Sequence, residues 1–316
     1  MFHILLVTFP FFALVLAGFV AAHRRLLPLE AIPGLNSFVL YFALPSMLYR
    51  FGSTTPIAQL LDASVFGVYL LVALLMVAFA VATTLSARTR WNDAALGALV
   101  AAFPNTGFMG VPLLATLLGP QSVGTVIVLI VVDMVITSSL CIALSRLDQA
   151  EGGAGAAAGK ALRGVLTNPM PWAITAGAVA SAAQFVLPAP LEKTLWLLAD
   201  AASPVALFTI GAVLARSQMQ SNRAMPWSDY LPLALMKLLL HPVLVWLVGV
   251  SARRLGLPLD PFALTVMVLV AALPSASNVS LLAERFGADN GRIARIILVS
   301  TSLAFFTFSA AVALLR

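Results

Sequence analysis

Residues 100–108 read VAAFPNTGF, and residues 270–278 read VAALPSASN. Each stretch interrupts a long apolar run with residues that a regular helix has little use for. Pro104 lacks the N–H that a helical turn needs and its ring crowds the preceding carbonyl, while Gly107 has no Cβ to restrain φ. Pro274, with Ser275, Ser277 and Asn278, breaks the second run in the same way. The two stretches stand roughly half a chain length apart, so the pattern predicts a duplicated architecture in which two helices are broken alike.

Composition fixes the class around them. Of 316 residues 61% are hydrophobic and 9% charged, against about a quarter charged in soluble domains. The chain reads as an all-α integral membrane protein. A bilayer core of about 30 Å needs about 20 apolar residues per helix, and roughly ten segments fit that template. They are 4–22, 34–51, 64–86, 93–118, 122–145, 171–187, 192–214, 230–251, 261–283 and 291–315. A β-barrel is excluded because these runs are apolar all round rather than alternating. The first run has no basic leader and is followed by Arg24 and Arg25, so it reads as a helix rather than a cleaved signal peptide. Cys141, the single cysteine, lies in a membrane segment and allows no disulfide within one chain.

The formal charge of +6 does not call for nucleic acid, because the basic residues lie mainly in short loops beside the helices. With the N-terminus outside, twelve Lys and Arg fall on the cytoplasmic side and five on the other. The positive-inside rule therefore places both termini outside the cytoplasm of a cell with a cytoplasmic (inner) membrane. Residues 146–165, rich in Gly and Ala, read as a flexible cytoplasmic linker between a first five-helix repeat (1–145) and a second (166–316). An odd number of helices per repeat inverts the second repeat relative to the first, an arrangement common in secondary transporters.

In such a fold helices 4 and 9 break and cross at membrane depth. Unwound backbone is tolerated there only where protein buries it or it lines a watery cavity, so the breaks mark a site; plain proline kinks are the alternative. Pro104, Asn105, Thr106, Gly107, Pro274, Ser275, Ser277 and Asn278 are the candidate substrate-binding residues. Residues 100–112 and 270–283 hold no carboxylate. Half-helix amides and Asn105 can serve an anion, whereas dehydrating sodium would rest on carbonyls and hydroxyls alone. The site leans toward an anion.

FPNTGFMGVPL in the fourth segment, ALPSASN in the ninth, YFALPSMLYRF in the second and the five-plus-five layout resemble the auxin efflux carrier family, whose bacterial members include malonate-type organic-anion carriers. The resemblance covers essentially the whole chain and is sharpest at residues 105–112. It implies a scaffold of helices 1, 2, 6 and 7, a moving transport domain of helices 3–5 and 8–10, and a homodimer. It places the substrate carboxylate at the crossover, on Asn105 and Pro104 with Pro274 in the matching break. Bile-acid sodium symporters share the implied fold, but the third segment holds no acidic residue and the ninth-helix break no Glu.

Several further residues enter as candidates. ALPSMLY in helix 2 and ASPVALF in helix 7 each pair Ser with Pro, which curves a helix; Ser46, Tyr49 and Ser203 would then line a substrate pathway, or merely fit a neighbour. At about 1.5 Å per residue Asp133 and His241 each lie about 16 Å into their helices, near the midplane, and Lys237 shares the His241 face. Intramembrane charges default to functional roles. Asp133 is expected to pair with Lys237 or His241, either as a carrier of the coupling proton or as a structural ion pair. No metal or cofactor motif and no hydrolase motif appears. The expectation is a secondary active carrier of a small carboxylate in a lipid bilayer, working by an elevator-type movement and coupled to a proton rather than sodium. A sodium-coupled bile-acid-type symporter is the alternative, and an intramembrane enzyme a distant one.

Overall fold

The computed structural model describes residues 2–55, 62–86, 89–147, 169–220 and 225–315. Residues 148–165 of the expected linker lie outside them, as do Arg88, Lys160, Arg163, Arg223 and Arg316 of the charge count. In chain order the helices are α1 (Phe2–His23), α2 (Ile32–Phe38), α3 (Leu44–Thr54), α4 (Ala63–Thr84), α5 (Trp91–Ala102), α6 (Val111–Leu118), α7 (Val123–Val131), α8 (Ser138–Leu144), α9 (Pro169–Ala182), α10 (Ala189–Gln220), α11 (Leu231–Leu235), α12 (His241–Arg254), α13 (Pro261–Ala271), α14 (Asn278–Phe286) and α15 (Asn290–Leu315). No named strand occurs among the described residues.

Seven helical runs among the described residues are long and apolar enough to cross a membrane: Leu6–His23, Leu29–Thr54, Ala63–Thr84, Pro120–Leu144, Ala189–Met219, Leu231–Arg254 and Asn290–Leu315. The fourth and ninth expected segments appear as shorter pieces, α5 with Thr106–Leu118 and α13 with α14, and the sixth as the 14 residues of α9. α4 carries exposed Leu71, Leu74, Leu75 and Phe79 on its outer face. Such a surface suits hydrocarbon rather than water, because only lipid solvates so much apolar area without penalty. The chain is a multi-pass membrane protein.

Among the described residues π-helical turns punctuate these runs at Val39–Ala43, Thr106–Gly110, Val132–Thr137 and Met236–Leu240. Three share a cause. Pro45, Pro112 and Pro242 each stand at the second position of the helix that follows, so each withholds an N–H from the carbonyl four residues back and pushes its ring against it. Widening the turn relieves that clash. The turn at Val132–Thr137 has no proline; there Thr137 Oγ1 donates to the Val132 carbonyl (3.3 Å) and Ser138 Oγ to that of Asp133 (2.8 Å), five residues back in each case. Hydroxyls that take over backbone carbonyls loosen a helix in this way.

The chain divides into two compact units. Unit 1 comprises Met1–Asp62, Thr106–Val128 and Asn168–Gln220. Within it α1 packs on α10, and α3 on both α9 and α10. The pairings of α1 with α10 and of α3 with α9 rest on glycine. A Cβ at Gly18 would strike the Phe208 carbonyl, one at Gly211 would strike that of Val15, and one at Gly177 would come within 2.7 Å of the Tyr49 carbonyl and 3.0 Å of the Gly52 Cα. Close backbone approach through small residues is how membrane helices gain dispersion energy without a hydrophobic drive. The positions recur at a constant interval: the sequence separation from Gly18 to Gly177 equals that from Gly52 to Gly211.

Unit 2 comprises Ala63–Asn105, Leu129–Thr167 and Ser221–Arg316. α4 packs on α5 and α12, α12 on α13, and α5 on α8. One end is tied by polar contacts. Arg292 donates through Nε to the Asp229 carbonyl (2.7 Å), and Asp93 Oδ1 accepts from the Asp289 N–H (2.7 Å). Asp289 in turn caps α15 by accepting from the Arg292 N–H (3.0 Å), which satisfies one of the donors that every helix start exposes.

Candidate functional site

Regular helix stops at Ala102. The Phe103 N–H still reaches the Leu99 carbonyl (2.8 Å), but Pro104 has no N–H to continue, and the Asn105 N–H turns instead to the Pro274 carbonyl (2.8 Å). The Ala276 N–H returns the contact by donating to the Phe103 carbonyl (2.9 Å). These two bonds flank an antiparallel bridge between Pro104 and Ser275. The bridged residues form a non-hydrogen-bonded pair, the one position in an antiparallel ladder that demands no N–H, so proline fits there. The Ser275 N–H is left free to donate to Ser300 Oγ (3.2 Å). Pro104, Asn105, Pro274 and Ser275, from stretches far apart in the sequence, are thereby held together within unit 2, with Ser277 and Asn278 following at the start of α14.

The bridge is buried: Asn105 is 4% exposed and Ser275 1%. Ser275 Oγ and Asn278 Oδ1 nonetheless have no hydrogen-bond partner in the protein. A buried unpaired polar atom costs about 1–3 kcal/mol, so two on one short segment require an explanation. The side-chain oxygen and nitrogen of Asn278 exchange places by a half-turn of the amide, so that position presents either a donor or an acceptor.

The other candidate substrate-binding residues, Thr106, Gly107, Ser46, Tyr49 and Ser203, belong to unit 1, whose boundary falls between Asn105 and Thr106. Thr106 is fully buried and, with Gly107, opens the π turn ahead of α6; Leu44 lies 3.8 Å from where a Gly107 Cβ would stand. Ser46 Oγ donates to the Phe42 carbonyl (2.7 Å), so its polarity is spent within its own helix. Tyr49 presents its carbonyl to Gly177. Ser203 is half-buried beside Pro204 within α10, which runs unbroken from Ala189 to Gln220.

A second polar group lies buried in unit 2. Tyr69, Asp133, Lys237 and His241 are all fully enclosed. The Asp133 carboxylate accepts from Tyr69 Oη (3.0 Å), and Thr137 Oγ1, whose one proton is shared with the Val132 carbonyl, lies 3.5 Å away. Lys237 Nζ donates to the Ala271 carbonyl (2.5 Å) and meets His241 Nδ1 at 3.2 Å. The direct pairing expected of Asp133 with Lys237 or His241 is replaced by these bonds, because the π turns aim both residues at hydroxyl and carbonyl partners. His241 packs its ring on Tyr69 with centroids 6.1 Å apart. Which of Lys237 Nζ and His241 Nδ1 donates depends on the His241 tautomer, and His241 Nε2 is buried with no hydrogen-bond partner in the protein. Sequence reasoning missed Tyr69, Thr137 and Ser300; the available signal was a lone hydroxyl in an apolar run for Tyr69 and a triplet of hydroxyls for the other two, at 137–139 and 300–302. Asp200, on α10, pairs with Arg50 at 2.7 Å, and the guanidinium lies 5.1 Å over the Trp196 ring, with both charged side chains exposed.

No group of His, Cys, Asp and Glu suited to a metal ion occurs among the described residues. The names of the matching family and relatives indicate a transporter. Residues 3–312 match the family described as "Membrane transport protein". The chain is 32% identical over 315 residues to a "Putative malonate transporter" of Rhizobium meliloti (strain 1021), covering 97% of this chain and 94% of that one. It is 26% identical over 284 residues to the "Uncharacterized transporter YfdV" of Escherichia coli (strain K12), covering 88% and 86%. With a family match over nearly its full length, the chain belongs to the membrane transport protein family of auxin efflux carriers.

Proposed function

We propose that this transporter is a secondary active carrier of small organic anions, malonate-like carboxylates first among them, and that it binds them at the bridge between residues 103–105 and 274–276. The observation that carries the reading is the bridge itself, buried yet bearing unpaired Ser275 Oγ and Asn278 Oδ1. The start of α14 adds backbone N–H groups and the positive end of a helix dipole. Lys237, bonded to the Ala271 carbonyl, places an amino group against the helix that leads into Pro274. An acceptor-only carboxylate suits such a set of donors. The "Putative malonate transporter" name of a relative 32% identical to this chain supports the substrate class.

The ten-helix inverted repeat, the broken and crossing helices, the homodimer and the elevator-type movement belong to the same proposal. Two observations support them. Unit 1 collects α1, α2, α3, α9 and α10, the helices assigned to the scaffold by resemblance, together with Thr106–Val128. The glycine contacts of that unit recur at one interval, as a duplicated chain would require. We assign the carrier to the cytoplasmic membrane with both termini outside, on the charge count, and its coupling ion to a proton held at Asp133.

Uptake of radiolabelled malonate into proteoliposomes under an imposed proton gradient tests this. Asn105→Ala and Ser275→Ala are each expected to lower uptake about tenfold, the effect of losing about 1.4 kcal/mol of hydrogen bonding to a charged ligand. Uptake that both variants retain in full would refute a site at the bridge, and uptake abolished by removing sodium at a constant proton gradient would refute the coupling.

A further inference from the structure

The ion pair of unit 1, Arg50 with Asp200, stands where a membrane helix rarely carries exposed charge. α10, at 32 residues, is about 48 Å long against a bilayer core of about 30 Å. Centred on that core it overhangs by about 9 Å at each end, so Asp200, about 16 Å from its start, lies inside the apolar span rather than beyond its rim. Yet the Arg50 and Asp200 side chains are 36% and 69% exposed. Hydrocarbon does not solvate such groups, so the surface they face is open to water. Packing does not require the pair. Gly18 faces the Phe208 carbonyl and Gly177 that of Tyr49, and the interval from Gly18 to Gly177 also separates Tyr49 from Phe208 and Pro45 from Pro204. The same interval leads from Arg50 to Thr209, whose hydroxyl donates to the Val205 carbonyl of its own helix (2.7 Å), and from Tyr41 to Asp200. The contacts are repeated and the charges are not. Arg50 is also poised to bind: its guanidinium lies 5.1 Å over the Trp196 ring, which holds its plane, and among the described residues only its Nη1 has a hydrogen-bond partner, Asp200 Oδ1 at 2.7 Å. Asp200 shows that a carboxylate fits against this fork, and an exposed pair is held too weakly to exclude a rival.

We propose that Arg50, held flat by Trp196, is a second carboxylate site, on unit 1, at which a free carboxylate displaces Asp200 from the guanidinium. Asp200 is the built-in competitor that keeps the site weak, so an anion leaves it as readily as it arrives. The site gathers anions at a water-exposed surface, and its use in transport rests on the carboxylate reading above.

The test is the tryptophan emission of the purified full-length protein titrated with sodium malonate, or with sodium chloride at equal ionic strength, the share of Trp196 being the difference from Trp196→Phe. Displacing Asp200 shifts the guanidinium over the ring, so malonate is expected to change that difference and chloride to leave it unchanged. Asn105→Ala is expected to keep the response, because the bridge takes no part in it. Arg50→Gln is expected to abolish it, and Asp200→Asn, which removes the competitor, to lower the malonate midpoint about threefold. In proteoliposomes the same two variants are expected to move the KM for malonate in opposite directions, whereas a purely structural pair would move both alike. No malonate response at Trp196, a response that chloride reproduces, or Arg50→Gln and Asp200→Asn shifting the midpoint in one direction would overturn the proposal. Should Arg50→Gln yield no folded protein, Arg50→Lys, which keeps the charge without the planar fork, takes its place and is expected to weaken the response. A Trp196 response in a protein that takes up no malonate would count against the substrate reading alone and uphold the site.

Discussion

The two units bury different chemistry. Among the described residues, the buried polar side chains of unit 1 are Thr8, Ser46, Thr55, Thr106, Ser122 and Thr209, none of them ionisable. Ser46 and Thr209 bond carbonyls four residues back in their own helices. The ion pair of that unit, Arg50 with Asp200, is exposed. Unit 2 encloses Tyr69, Asp133, Lys237, His241 and Arg292, and also the unpaired atoms of Ser275, Asn278 and His241. Groups that are expensive in a membrane persist where they act. The contrast sets close backbone packing in unit 1 against buried, partly unpaired polar groups in unit 2.

Replacing a contact glycine gives the sharpest test of that division. Gly211→Leu, which would drive a side chain into the Val15 carbonyl, is expected to destabilise unit 1 by about 4 kcal/mol or more and to leave no monodisperse peak in size-exclusion chromatography. Gly97→Ala in unit 2 should be far milder, because the tightest contact of its Cβ would be the movable tip of Leu233, at 3.2 Å. Equal effects would break the comparison.

Charge comes next in size. Asp133→Ala strips the countercharge from buried Lys237 and is expected to lower stability by about 3–5 kcal/mol, read by thermal unfolding. The double variant Asp133→Asn with Lys237→Met should recover most of that loss; if it falls by the sum of the single effects, the two charges do not act on each other. Tyr69→Phe removes one hydrogen bond to the carboxylate and is expected to cost about 1.5–3 kcal/mol. The smallest effect belongs to Arg50→Ala in unit 1, at most about 1 kcal/mol because water screens an exposed pair.

Much of this was legible in the sequence because it follows from one residue type at a time. Apolar runs, Pro104 and Pro274 announce a membrane protein with two matched interruptions, and Asn105, Ser275 and Asn278 follow from their places beside those prolines. The partners were not legible. That the Asn105 N–H would meet the Pro274 carbonyl depends on register between segments in opposite halves of the chain, which no local propensity specifies. Asp133 and Lys237 looked like an ion pair because opposite charges at one depth attract. Two π turns, one caused by Pro242 and one by the hydroxyls of Thr137 and Ser138, gave each a different hydrogen-bond partner. Lys237 could be tied to the break only once Ala271 was known to be where α13 ends.

The central claim, that the bridge of unit 2 holds a small carboxylate, is tested most directly by the thermal stability of the purified protein against a panel of mono- and dicarboxylates, with Asn105→Ala alongside. The account predicts that malonate or a close relative raises the melting temperature of the wild type by about 3 °C or more at saturation, and that Asn105→Ala folds normally but loses the shift. A shift that Asn105→Ala retains in full, or no shift with any acid, would contradict it.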